Sequence, residues 1–119
     1  MLDKKDCIFC KIAKKEIPVE IIEENDNFLA FPDANPIVKG HTLIIPKKHF
    51  VNILDLPSNL ASEMFDLIKK IAEKRLKEGY EGFNLVMNNF PAAGQAVMHT
   101  HVHLIPRKKG DGLVGFTPR

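Results

Sequence analysis

Apolar residues recur at intervals of three and four between Ser58 and Glu78, a spacing that predicts one long amphipathic helix. The predicted apolar stripe consists of Leu60, Met64, Leu67, Ile68, Ile71 and Leu76. Charged residues fall largely on the opposite side, where we expect a solvated face: Lys69, Lys70, Glu73, Lys74 and Lys77. Gly79 supplies the C-terminal stop, because glycine tolerates the backbone conformation that ends many helices.

Shorter apolar runs, bounded by turn residues, predict strands. The five predicted strands are Val19 to Glu24, Phe28 to Phe31, His41 to Pro46, Phe83 to Met87 and Thr100 to Pro106. A short helical turn is predicted over residues 7 to 15, and Pro18 interrupts it because proline cannot continue a helix interior. These elements predict an α+β fold: a mostly antiparallel sheet of about five strands, one long helix and a short N-terminal helix. No linker or repeat divides the sequence, so we expect residues 1 to 119 to form a single domain.

Composition and charge argue against two classes of partner, nucleic acids and membranes. The formal net charge of +2 is too small to indicate a nucleic acid or a membrane surface as a partner. The apolar runs are far too short to span a bilayer, and we expect no cleavable signal sequence at the start of the chain. We therefore expect a cytoplasmic protein.

The segment from Met98 to Ile105 concentrates histidine. His99, His101 and His103 stand at alternate positions, and an extended strand would project all three from one face, roughly 6.5–7 Å apart. The residues between them are free to face a core: Thr100, Val102 and Leu104. Three interpretations follow. The histidines are plain solvent-facing residues, or they form a metal site, or one of them is a nucleophile at phosphorus, since neutral imidazole is competent for that task.

The surrounding residues favour the last interpretation. Gly94 to Arg107 closely resembles the signature of the histidine triad family of nucleotide hydrolases and transferases, in which Gly-Gln precedes three histidines separated by single, usually hydrophobic residues. Four further blocks resemble the family's remaining motifs in order: Cys7 to Ile12, Glu16 to Pro18, Phe31 to Asp33 and Gly40 to His49. The resemblance runs from about Cys7 to Gly112. It implies the histidine triad fold and, most closely, the small nucleotide-binding members.

The resemblance also implies roles for individual residues at the phosphate. His101 would attack the α-phosphate and form a nucleotidyl-histidine, and His103 would contact the phosphate and protonate the leaving group. Asn88 and the backbone of the loop would hold the phosphate oxygens, the loop residues being Gly94, Gln95, Ala96 and Val97. Ala96 stands where many relatives have Ser or Thr, so it offers the phosphate no hydroxyl, while its backbone N–H stays available.

The same resemblance implies a nucleoside site. Asp33 would accept hydrogen bonds from the ribose, and His41 would support the nucleophile as a second-layer residue. A purine ring would lie between Ile8, Phe9, Ile12, Phe31 and Leu43. Simpler alternatives exist for most of these residues: Asp33 is a turn residue, Asn88 caps a turn, and the ordinary core takes Ile8, Phe9, Ile12 and Leu43.

Cys7 and Cys10 form a C-x-x-C pair, which in a reducing compartment favours metal binding or thiol chemistry over a disulfide. The alternative is two free thiols, and a redox role would need a thioredoxin-like βαβ context that is absent. Structural zinc takes four ligands, commonly two Cys and two His. His49 and His99 are the expected partners, a ligand set that resembles that of prokaryotic members of the family.

The sequence thus predicts a hydrolase of purine nucleoside 5′-phosphoramidates or related nucleotidyl conjugates, acting on AMP- or GMP-type substrates. We expect a structural zinc, no metal at the phosphate, and a homodimer, because the family's members pair. Two alternatives remain open. One is a nucleotide- or partner-binding module with incidental catalysis, and the other is a dinucleoside polyphosphate hydrolase.

Overall fold

The computed structural model of the protein describes residues 4 to 114. The helices are α1 (Ile8–Ala13) and α2 (Ala61–Lys77), with single 3-10 turns at Ser58–Leu60 and Pro91–Ala93. The strands are β1 (Glu23–Glu24), β2 (Phe28–Pro32), β3 (Thr42–Pro46), β4 (Gly82–Val86) and β5 (Val102–Arg107). They form one sheet in the order β1-β2-β3-β5-β4, and every neighbouring pair is antiparallel. The predicted α+β architecture is confirmed.

The two faces of the sheet bury different side chains, because successive strand residues point in opposite directions. One face packs against α2, and its cluster includes Phe28, Ala30, Ile44, Val102 and Leu104 together with Met64, Leu67, Ile68 and Ile71. The other face packs against α1, and its cluster consists of Leu29, Phe31, Leu43 and Ile45 together with Phe9 and Ile12. His103 is paired with Leu43 in the ladder, so it lies on the α1 face.

Two predicted strands differ from the observed ones by more than one residue at an end, and the other three differ by a single residue at one or both ends. Of Val19 to Glu24, only β1 pairs with β2, because the turn at residues 25 to 27 brings just these two residues into register with Leu29 and Ala30. The last strand begins at Val102 rather than Thr100, since the N–H of Thr100 bonds to the carbonyl of Phe50 over 2.6 Å instead of continuing the ladder. Of the three alternating histidines, only His103 therefore lies in a strand.

The buried face of α2 also differs at its C-terminal end. Leu76, predicted in the apolar stripe, is 43% exposed, whereas Arg75 is only 8% exposed. Arg75 continues the buried series of Ile68, Ile71 and Ala72 at three- and four-residue spacing, and its guanidinium is hydrogen-bonded, as a buried charge requires. Within residues 4 to 114, no helix has the length and apolar character that crossing a membrane requires.

Candidate active site and metal centre

The structure divides the three alternating histidines between two sites. His101 and His103 lie beside each other, with ring centroids 5.1 Å apart. His99 instead faces His49, also with a centroid separation of 5.1 Å, next to the two cysteines. All four rings are at least 98% buried. The division follows from the chain bending at residues 97 to 99, ahead of β5.

Hydrogen bonding fixes the tautomer of His101. Its Nδ1 lies 2.7 Å from the carbonyl oxygen of His99, and a carbonyl only accepts, so Nδ1 carries the proton. In the neutral ring the lone pair is then on Nε2, which is buried and has no hydrogen-bond partner among the described residues. The ring of Phe9 packs edge-on against His101 at a centroid distance of 5.2 Å. His101 thus presents a bare, oriented lone pair.

A chain of hydrogen bonds gives His103 the opposite tautomer to that of His101. The N–H of Ile37 donates to Nδ1 of His41 over 3.0 Å, which places the His41 proton on Nε2. That Nε2–H lies 2.9 Å from Nδ1 of His103 and donates to it, so the His103 proton is on Nε2. This Nε2 is also buried without a partner in the described chain. His41 therefore contacts His103, and the support expected for the nucleophile His101 goes to its neighbour.

Asp33 combines a turn role with a place in this chain. Its Oδ1 accepts from the N–H of Asn35 over 2.8 Å, the local bond of a turn residue. Its Oδ2 lies 3.4 Å from Nε2 of His41 and 3.8 Å from Nδ1 of His103. These three side chains could also be considered as metal ligands. The bond from Ile37 argues against that, because it uses the His41 lone pair and leaves a proton where a metal would bind.

The second cluster has the donor set of a structural zinc site. Sγ of Cys7 is 3.2 Å from Nδ1 of His99, and Sγ of Cys10 is 3.3 Å from Nδ1 of His49 and 3.5 Å from that of His99. Tetrahedral zinc with ordinary bond lengths places sulfur and nitrogen ligands about 3.6 Å apart. His99 donates its Nε2–H to the Pro46 carbonyl over 2.8 Å, the outer contact that typically orients a zinc-binding imidazole. The four residues fit the metal.

The loop before the histidines is held by its own side chains. The Asn88 amide donates to the Gly94 carbonyl over 3.4 Å. Gly94 has a φ of 94°, a conformation that favours glycine. The buried Gln95 accepts from the N–H of Phe90 over 2.8 Å and donates to the carbonyls of Val51 and Val97. Its side chain therefore serves the loop. The N–H groups of Gly94 and Gln95 also serve it, because they donate to the carbonyls of Pro91 and Phe90 over 3.0 and 3.2 Å, so they do not point to a phosphate as expected.

The chain resembles known proteins in both sequence and structure. The family model of the HIT domain matches residues 14 to 110, which is more than half of the chain. The chain belongs to the HIT domain family.

Similar proteins cover most of this HIT chain. It is 46% identical over 108 residues to an uncharacterized HIT-like protein of Methanocaldococcus jannaschii, covering 91% of this chain and 84% of that protein. It is 40% identical over 114 residues to an adenosine 5′-monophosphoramidase of Candida albicans, with 91% and 74% covered. The crystal structure of a Zn-bound histidine triad family protein from Mycobacterium smegmatis superposes with a TM-score of 0.85 at 36% identity, covering 95% and 83%.

The candidate base-binding residues are mostly core in this HIT domain. Phe9, Ile12, Phe31 and Leu43 are each at most 7% exposed and belong to one apolar cluster, whereas Ile8 is 49% exposed. The structure therefore places Phe9, Ile12 and Leu43 in the core, as the alternative interpretation expected, and places Phe31 there as well. Phe9 links the cluster to the site, since its ring contacts those of His101, His99 and Phe31.

Burial keeps the supporting histidines neutral. It lowers the pKa of His103 to about 3, with smaller contributions from the neighbouring rings of His101 and His41. Burial likewise lowers the pKa of His41, against an opposing effect of the Asp33 carboxylate. Both rings are therefore uncharged at neutral pH, as the hydrogen-bond chain requires.

We expect these neutral rings to make the HIT domain acid-sensitive. A histidine whose pKa is lower in the folded than in the unfolded chain takes up its proton first in the unfolded chain. The free energy of unfolding should be level above pH of about 6.5 and fall as the pH drops toward about 3, by up to about 1.4 kcal/mol per pH unit for His103. Urea unfolding at a series of pH values measures this slope. The free energy of unfolding of His103→Asn, whose new side chain does not titrate, should fall less steeply with pH. Equal slopes for the two proteins would contradict this expectation.

Sequence reasoning missed the groups that set the ring tautomers. These are the N–H of Ile37 and the carbonyls of Pro46 and His99. All three are backbone atoms, which every residue type offers, so no pattern of side chains could have indicated them.

Proposed function

We propose that this HIT-domain protein hydrolyses purine nucleoside 5′-phosphoramidates or related nucleotidyl conjugates and releases the nucleoside monophosphate through a nucleotidyl-His101 intermediate. One observation carries the proposal. Two adjacent, buried imidazoles differ in the proton on Nε2: His101 has a lone pair at this atom, whereas His103 has an N–H. A nucleophile beside a proton donor is what displacement at phosphorus needs.

The reaction divides into two displacements. Nε2 of His101 attacks the α-phosphorus, the P–N bond of the substrate breaks, and the leaving amine takes the proton from Nε2 of His103. The Nε2–H of His41 stabilises the negative charge that this leaves on His103. Water then attacks nucleotidyl-His101, leaves its hydroxyl on the phosphorus and returns one proton to His103. Covalent catalysis gains by replacing one difficult step with two easier ones.

The phosphate and ribose would be held by groups around this pair. The backbone N–H groups of Ala96 and Val97 suit the phosphate oxygens, because fixed donors stabilise charge that grows in the transition state. Asn88 would support that loop through its contact with Gly94. Asp33 would accept the ribose hydroxyls, since its Oδ2 faces the site and only Oδ1 serves the turn. Ile8 offers the exposed apolar surface for a purine.

The relatives support this substrate class, as one of them carries the name adenosine 5′-monophosphoramidase. A panel of adenosine 5′-phosphoramidate, its guanosine counterpart and a dinucleoside polyphosphate tests the proposal by release of AMP or GMP. Turnover of the phosphoramidates supports it. Saturable binding without release would favour a binding module, and release only from the polyphosphate would favour the alternative hydrolase.

The metal cluster has a structural part in the proposal. Cys7, Cys10, His49 and His99 would hold zinc, which would tie α1 to the segment that leads into His101. The donor spacing and the Zn-bound relative support this assignment. The zinc ligands are turned away from the phosphate site, so we propose no metal participation in the displacement.

We also propose that the protein forms a homodimer through β4. This strand is at the edge of the sheet that residues 4 to 114 form, so no strand among them pairs with one side of its backbone. Beside it, a groove of about 450 Å³ is lined mainly by apolar side chains, among which Phe65, Leu76, Phe83 and Leu85 are exposed. A second copy would cover this surface by pairing the two edge strands.

The dimer is testable by one charge substitution. We expect Leu85→Glu to convert the protein to a monomer in multi-angle light scattering at micromolar concentration, because the dimer would bring a charged carboxylate into an apolar interface. Leu54→Glu is the matched control, since Leu54 is 77% exposed outside the groove. A wild-type monomer, or a Leu85→Glu dimer, would contradict the proposal.

A further inference from the structure

Arg75 is a buried charge in an unusual place. It lies on α2, on the opposite side of the sheet from the histidines. Its guanidinium donates hydrogen bonds to two residues at the start of β3. Nε donates to the Gly40 carbonyl over 3.0 Å, and Nη2 donates to the hydroxyl of Thr42 over 2.9 Å. The two acceptors are the immediate neighbours of His41. Arg75 therefore clamps the backbone on both sides of the residue that sets the His103 tautomer.

The clamp is closed by further contacts. The Thr42 hydroxyl donates to the Gly40 carbonyl over 2.8 Å, so this oxygen receives two hydrogen bonds. Gly40 has a φ of +92°, and a Cβ there would meet Pro106 at 3.0 Å and Nε of Arg75 at 3.4 Å. The positive φ and the close approach of Pro106 therefore both favour glycine beside the clamp. Glu78 completes the set by accepting from Nη1 at 2.9 and 3.1 Å.

The alternation of a strand connects this clamp to the active site. Thr42 points toward α2, so His41 before it points to the opposite face, where its Nε2–H reaches Nδ1 of His103. A shift of the backbone at residues 40 to 42 would move the His41 ring directly and disturb its 2.9 Å hydrogen bond to His103. A planar guanidinium with several fixed donors is well suited to holding two acceptors at once.

We propose that Arg75 is a positioning residue for the His41–His103 pair. It holds His41 in register from the opposite face of the sheet and thereby keeps the proton of His103 on Nε2, where it points into the site. Its effect on turnover rests on the proposed function. Its effect on the ring tautomers does not, because the tautomers can be observed without substrate.

Long-range 1H–15N spectra of the histidine rings in the substrate-free protein test this directly. In the wild type we expect the proton on Nε2 of His41 and His103 and on Nδ1 of His101. In Arg75→Met the His41 and His103 nitrogens should move toward values for mixed tautomers, while His101 stays unchanged. For the phosphoramidate, kcat should fall about 10-fold or more with little change in KM. Lys74→Met is the matched control that keeps the Gly40 and Thr42 contacts, and it should resemble the wild type.

The outcomes separate cleanly. Folded Arg75→Met with wild-type ring spectra would overturn the proposal, and so would an equal change in Lys74→Met. If Arg75→Met does not fold, Arg75→Lys and Thr42→Val decide, since each weakens the clamp and should shift the same two rings. Unchanged rings in both would also overturn it. If the wild type turned over no nucleotide, the spectra would still decide the positioning role while the proposed function failed.

Discussion

Replacing His101 with alanine is expected to lower kcat for adenosine 5′-phosphoramidate by on the order of 1,000-fold or more. The variant loses the Nε2 lone pair that the His99 carbonyl orients toward the site, and no other ring replaces it. His103 presents an N–H at its Nε2, because the bond from His41 fixes its proton there. Steady-state release of AMP measures the effect.

Two comparisons make this result specific to the nucleophile. The variant keeps Cys7, Cys10, His49 and His99, so it should retain the zinc content of the wild type. His103→Ala, which removes the proton donor and keeps the nucleophile, should be impaired mainly for substrates with poor leaving groups. A His101→Ala protein with an unchanged rate would refute the proposed mechanism.

Removing zinc is expected to destabilise the protein by several kcal/mol. Structural zinc contributes its binding free energy to folding, about 10 kcal/mol or more in small zinc domains, and here α1 is tied to the core partly through Cys10. Burial raises the pKa of the Cys10 thiol to about 11, so the bare cluster keeps a proton that the metal would displace. Cys10→Ala should therefore bind little zinc and unfold at a lower urea concentration.

Metal analysis and urea unfolding of the same samples check this expectation. A chelator should shift the wild type toward the midpoint of Cys10→Ala and leave Cys10→Ala itself unchanged. His101→Ala, with all four ligands present, is the matched control and should respond to the chelator as the wild type does. A folded wild type with less than about a tenth of an equivalent of zinc would contradict the assignment.

The amphipathic helix and the antiparallel sheet were predictable because both follow from side-chain periodicity. The spacing of Leu67, Ile68 and Ile71 predicted the buried face of α2, and the run Leu43 to Ile45 predicted β3. The end of the helix was not predictable. Periodicity chose the apolar Leu76, whereas the fold buries Arg75 because Gly40 and Thr42, remote in sequence, supply its acceptors.

The residues of the candidate site could be predicted from their types and spacing. How they divide between the metal cluster and the phosphate site could not be predicted from the alternation alone. The alternation of His99, His101 and His103 predicted one shared face, but the bend before β5 sends His99 to the cysteines. The C-x-x-C pair is the sequence signal for this division. The strained Phe90, with a φ of 75°, had no sequence signal. Its conformation is held by hydrogen bonds within the folded loop, from its N–H to the Gln95 side chain and from the N–H groups of Ala93 and Gln95 to its carbonyl.

The sequence also could not predict which ring nitrogen carries the proton in His101 and in His103. The position of the proton depends on the N–H of Ile37 and the carbonyl of His99, which become ring partners only through tertiary structure. A sequence can place two imidazoles next to each other. Folding decides which one is the nucleophile and which one is the acid.

The central claim is that His101 carries the nucleotide during the reaction. Rapid acid-free quenching of the wild type with adenosine 5′-phosphoramidate, followed by peptide mass spectrometry, tests it most directly. The account predicts a transient gain of one adenylyl group on the peptide containing His101, located on that residue by fragmentation and absent from His101→Ala. Steady AMP release with no adduct at any time, or an adduct on His103 or another residue, would contradict it.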